Sequence, residues 1–104
     1  MLDLVKDPLP KVDLVLCRDG LVHLSDKQIN QFLKNIKKSG STYLLATSFP
    51  EKEFNPEVGT THWRPINFRR SPFNFPEPLL SIKENEKDTQ FSDKSLCLWA
   101  LKDL

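Results

Sequence analysis

Apolar residues gather in four short runs and one stripe of helical period. The first run, Leu14-Val15-Leu16 within residues 12–17, is continuous rather than alternating. That pattern suits a strand covered on both faces, as in the middle of a parallel α/β sheet. It stops at Cys17, and a polar cluster, Arg18-Asp19-Gly20, leads through Leu21-Val22-His23-Leu24 to Ser25. Ser25 is a good N-cap and Gln28, three residues on, completes a capping box, so a helix is expected over 26–39. Ile29, Phe32, Leu33 and Ile36 fall at i, i+3, i+4 and i+7 on one face, with lysines and amides on the other. Lys37 and Lys38 suit the negative end of the helix dipole, and Gly40 stops the helix.

A second apolar run, residues 42–47, follows the helix, so residues 12–47 read as a βαβ unit with parallel strands. From Pro50 to Pro78 the chain carries six prolines, and its apolar content is largely aromatic. So many aromatics argue against disorder, and this long loop is expected to be an ordered excursion. Residues 79–83 and 95–101 form the last two runs. Only a charged turn separates them, with no helical stripe, so they should pair as an antiparallel hairpin. Phe32, Leu33, Ile36, Leu98 and Trp99 are assigned to the core. Near the start, Leu2-Asp3-Leu4 followed by Pro8 and Pro10 looks like the end of a preceding strand and its rigid connector. The expected fold class is therefore α/β, with residues 1–104 as a single domain.

Composition narrows the function. At 104 residues the chain is small for a doubly wound sheet, which usually needs about 150. A net charge of +1 gives no global field for nucleic acid or an anionic membrane. Cys17 and Cys97 lie singly inside apolar runs without metal-type spacing, and read as reduced core thiols of a cytoplasmic protein, with a disulfide as the alternative. No segment reaches the roughly 18 apolar residues of a membrane span, and Asp3 and Asp7 do not suit a signal peptide.

Chemistry is expected where ligands sit in open α/β sheets, outside the carboxyl ends of the parallel strands. Arg18 and Asp19 follow the first strand, and Thr47, Ser48 and Phe49 close the second, so all should share one rim. His23 is the candidate general base, because imidazole as a side-chain type suits proton transfer near neutral pH, against a structural role between Val22 and Leu24. In the excursion, Trp63, Arg64, Asn67, Arg69 and Arg70 are candidate substrate-binding residues, the guanidinium groups gripping an anion. The bland alternative packs the aromatics onto the sheet and leaves the arginines in water. Trp63, Arg64, Phe68, Arg69, Arg70, Phe73 and Phe75 would also serve a nucleic-acid or anion-binding module as stacking and charge platforms.

The run Asp-Leu-Val-Leu-Cys-Arg-Asp-Gly-Leu-Val-His-Leu, with the helix, the second strand, the long loop and the terminal hairpin, resembles the carboxyl-terminal half of class I S-adenosylmethionine-dependent methyltransferases. The Cys-Arg pair is similar to that following the fourth strand of chemotaxis-receptor methyltransferases. The resemblance covers almost the whole chain. It implies a partial Rossmann-like sheet whose last strand is inserted antiparallel, S-adenosylmethionine as cofactor, and methyl transfer to an unknown acceptor. It also places Asp3 near the adenine amino group, and Arg18 and Asp19 along the methionine part of the cofactor. The family's glycine-rich turn and acidic ribose-binding strand end have no counterpart here. Glycines stand only at 20, 40 and 59, so no Gly-x-Gly turn exists in these 104 residues. The chain is thus expected to be a truncated, split or fragmentary transferase that binds the cofactor weakly or not at all alone. A non-catalytic, partner-binding half is the alternative. Without a neighbour the strand at 12–17 becomes an apolar edge, so self-association or pairing with a missing amino-terminal half is expected there.

Overall fold

The computed structural model describes residues 9–56, 64–84 and 93–104. The expectations placed on Asp3, on Trp63 and on most of the turn between the last two strands lie outside the described residues. Five elements follow in order: β1 (Leu14–Cys17), α1 (Asp26–Lys38), β2 (Tyr43–Ser48), β3 (Leu80–Lys83) and β4 (Ser95–Ala100). Short 3-10 turns at Leu21–His23 and Leu101–Asp103 follow β1 and β4. Among the described residues the chain is a small α/β domain with one α-helix and one mixed sheet of order β1-β2-β4-β3.

Local chemistry accounts for the helix boundaries. Ser25 Oγ accepts from the Gln28 amide while Gln28 Oε1 accepts from the Ser25 amide, so two otherwise orphaned donors are satisfied. At the other end Gly40 has φ of 78°, which a glycine adopts without the cost of a Cβ. The return to the sheet is fixed by Ser41, whose Oγ accepts from the Val12 amide at 3.0 Å. β1 and β2 then run parallel, with Leu16 opposite Leu45 and Cys17 opposite Ala46. β4 is antiparallel to both β2 and β3.

One face of the sheet holds the core. Leu44, Ala46, Cys97 and Trp99 point to it, and Ile29, Phe32, Leu33 and Ile36 of α1 pack there, with Val15 and Cys17 partly buried at its margin. Burying each large side chain completely contributes about 1.5–3 kcal/mol. The excursion finishes this layer: Phe68 stacks on Phe75 at 5.1 Å and meets the Trp99 ring edge-on at 6.1 Å. Trp99 Nε1 donates to the Pro76 carbonyl at 2.8 Å, so the indole is buried without losing its hydrogen bond.

The opposite face is open. Directly paired residues project to the same side, so Leu16, Leu45, Leu98 and Leu80 form one row across all four strands. Leu14 with Tyr43, and Leu96 with Ile82, flank it. Leu14, Leu16, Tyr43, Leu80 and Ile82 are all exposed. Two expectations are corrected here. β1 is covered on one face only, because the described residues supply a single helical layer. Leu98 belongs to the open face rather than the core, since it alternates with buried Cys97 and Trp99.

Candidate functional site

Because β1 and β2 are parallel, their carboxyl ends meet at one rim. Asp19 turns the chain there with φ of 56°, a left-handed conformation that Asp tolerates better than most residues. Its amide donates to Thr47 Oγ1 at 2.8 Å, tying the turn after β1 to the end of β2. The hairpin delivers two more charges to the same rim, because β3 ends and β4 begins there; the Glu84 amide donates to the Lys94 carbonyl at 3.0 Å. Arg18 Nε lies 2.7 Å from Glu84 Oε1, Lys94 Nζ lies 2.8 Å from Asp19 Oδ1, and the same ammonium stands 3.8 Å from Glu84 Oε2. The Glu84 side chain is 10% exposed and that of Arg18 is 62% exposed. The result is an alternating chain, Arg18, Glu84, Lys94, Asp19, of zero net charge. It is anchored on one side and open to solvent on the other.

Of the sequence candidates, the structure brings Arg18, Asp19, Thr47 and Ser48 to this rim. Glu84 and Lys94 join them from outside the sequence reading. The available signal was their position flanking a hairpin turn, which puts both at one end of the sheet. His23 is exposed on the Leu21–His23 turn, whose other two residues are buried.

The excursion residues separate into two groups. Arg64 is buried at 2% exposure and is used by the chain itself. Its Nη1 donates to the Pro56 carbonyl at 2.8 Å, its Nη2 to the Leu24 carbonyl at 3.0 Å, and the same nitrogen lies 2.6 Å from Asp26 Oδ1 in the first turn of α1. Asn67 is likewise buried: its amide group donates to the Pro50 and Lys52 carbonyls and its Oδ1 accepts from the Arg69 amide. Both residues lock the excursion, with Arg64 Nε left buried and without a hydrogen-bond partner among the described residues. Phe68 and Phe75 are buried and Phe73 is half-buried against them, so these rings are part of the core and not a platform for bases. Arg69 and Arg70 remain exposed.

Burial raises the Cys17 thiol from 9.0 to about 11 and raises Cys97 as well, against a smaller lowering by the Ser81 hydroxyl. Neither is a thiolate at neutral pH, so neither is a ready nucleophile. They occupy one row of the inner face with Ala46 between them. Two strand spacings, roughly 9–10 Å, exceed the roughly 7 Å that a disulfide spans between Cα atoms. The disulfide alternative is thereby removed, and both cysteines are free. Among the described residues no group of three or more His, Cys, Asp or Glu side chains is placed to hold a metal ion. No described helix is long and apolar enough to cross a membrane. No family model, curated protein or solved structure matches the chain.

Proposed function

We propose that the chain acts as the carboxyl-terminal half of an S-adenosylmethionine-dependent methyltransferase of class I, transferring a methyl group to an acceptor of unidentified structure. The supporting observation is topological: a parallel pair joined by a helix is extended by a hairpin whose last strand, β4, is inserted antiparallel between β2 and β3. The sequence resemblance implies that arrangement.

The rim fits one end of the cofactor. Arg18 is mostly exposed with only its Nε engaged among the described residues, so its terminal nitrogens suit a carboxylate. Asp19 is half exposed and its second oxygen suits an ammonium group. The methionine moiety carries both. The 104 residues hold no glycine-rich turn for the adenosine end. When bound, the cofactor would offer an electrophilic methyl carbon on sulfur to a nucleophilic O, N or C of the acceptor. The chain's contribution is alignment, with His23 as the candidate for the acceptor's proton.

On this reading the edge of β1 and the open sheet face are covered by a complementary half-domain that extends the sheet past β1. That cover explains why a strand with Leu14 and Leu16 on one side and Val15 on the other stands at an edge. A non-catalytic, partner-binding half rests on the same face and is the second reading. Titration with S-adenosylmethionine, followed by amide chemical shifts, tests the first. Weak saturable shifts confined to Arg18, Asp19, Gly20, Thr47 and Ser48, and lost in Arg18→Ala, support it. A folded chain with no shifts at millimolar cofactor refutes cofactor binding by this rim and leaves the second reading.

A further inference from the structure

Between the excursion and the inner face of β3 and β4 lies a hollow of about 430 Å3, bounded by Pro50, Pro78, Leu79 and Trp99 on its apolar sides. That volume falls within the roughly 300–1,000 Å3 of small-molecule sites. Most polar groups around it are already occupied: Ser48 Oγ donates to the Ile66 carbonyl and accepts from the Phe68 amide, and the Asn67 side chain is held by backbone. Ser81 and Cys97 face each other at 3.5 Å on its floor, and the thiol is neutral. Two charged groups remain, Arg69 and Glu77, both exposed and both on its lining. Among the described residues no hydrogen bond or ion pair engages the side chain of either, and they are not paired with each other.

From this arrangement we infer that the hollow binds a small zwitterion with an apolar body, of the class of apolar amino acids and dipeptides. A carboxylate alone would gain Arg69 but face the like charge of Glu77, and an amine alone would meet the reverse. Only a ligand with both signs satisfies both groups. Its apolar body then displaces water chiefly from Leu79 and the proline walls, since Trp99 is already only 1% exposed, the usual division of labour in such sites. Ser81 and Cys97 offer one weak polar contact at the floor, so a side chain without strong polar groups is preferred there. The inference rests on charged residues other than Arg18 and Asp19, which do not border this hollow, although Ser48 touches both it and the rim.

Calorimetric titration of the whole chain with L-phenylalanine and L-leucyl-L-leucine, up to about 10 mM, tests it. Saturable binding of at least one probe is expected. Arg69→Ala and Glu77→Gln should each weaken that binding about tenfold, the usual scale for one charge-assisted hydrogen bond. Arg70→Ala should leave it unchanged, because Arg70 does not line this hollow. N-acetylation should reproduce the Glu77→Gln loss, and carboxyl amidation the Arg69→Ala loss. All three substituted side chains are exposed, so circular dichroism matching the parent is expected. No binding of either probe by the folded chain, or binding equally strong in Arg69→Ala and Glu77→Gln, overturns the inference.

Discussion

Cys17 carries the largest shift in acidity in the described chain and has no chemistry to do with it. Its thiol is held neutral by burial at the margin of the core, which moves its ionisation from 9.0 to about 11. In the unfolded chain the thiol ionises at the lower value. The folded state is therefore favoured fully below pH 9 and loses this contribution as pH rises to about 11. Urea midpoints measured at pH 8 and pH 10.5 should fall more for the parent than for Cys17→Ala; equal falls would show that the thiol is solvated. Arg64 is the opposite kind of residue, a buried charge whose partners fix the excursion to α1. Arg64→Met leaves the Leu24 and Pro56 carbonyls without donors and Asp26 without its cation, so a loss of about 3 kcal/mol is expected in denaturant unfolding. Asp26→Asn keeps both carbonyl bonds and should cost less. Nothing local in the sequence distinguishes Arg64 from Arg69, five positions on. Which one is buried depends on where a proline-rich path places each relative to Leu24, a long-range outcome that residue type does not encode.

Among the elements, α1 was fully legible because its signals are short-range. Ser25 and Gln28 cap it, the four buried apolar residues recur at helical spacing, and Gly40 ends it. Two substitutions weigh the ends separately. Ser25→Ala removes one capping bond and should cost about 1 kcal/mol. Gly40→Ala places a Cβ in space that is free, with Lys11 side-chain carbons no closer than 3.7 Å, so its cost is conformational alone and also about 1 kcal/mol. A Gly40→Ala variant as stable as the parent would mean that the turn readjusts. The strands were legible in position and sense, but the two faces were not. A continuous run such as Leu14-Val15-Leu16 looks the same whether its second face is covered or bare, because periodicity reports apolarity and not which neighbour is present. Leu98 was misplaced for that reason. The rim was legible from β1 and β2 alone, whereas Glu84 and Lys94 needed the hairpin's register to bring them to Arg18 and Asp19.

At the scale of the whole molecule, the conflict lies between the two faces of one sheet. The inner face is covered by α1 and the excursion except at the hollow beside β3 and β4, while the outer face presents a row of four leucines with Leu14, Tyr43 and Ile82 beside it, and Leu16 there is 59% exposed. A contiguous apolar patch on this scale marks an interaction surface. Among the described residues no strand pairs with the other edge of β1, whose backbone donors and acceptors add to it. Removing that surface from water stabilises whichever state covers it, so the isolated chain should cover it with another copy. Sedimentation velocity across a concentration series should show association at about 100 μM, equivalent to about 5.5 kcal/mol of binding. Leu16→Lys combined with Ile82→Lys should give a monomer whose urea midpoint matches that of the parent measured at a concentration where the parent is itself monomeric, since both side chains are exposed and neither holds the core. A parent that stays monomeric throughout would mean that the face is tolerated bare, and the cover postulated for it in the transferase reading would lose its physical reason. A double variant that is monomeric but much less stable would instead place Leu16 and Ile82 in the core, contrary to their exposure.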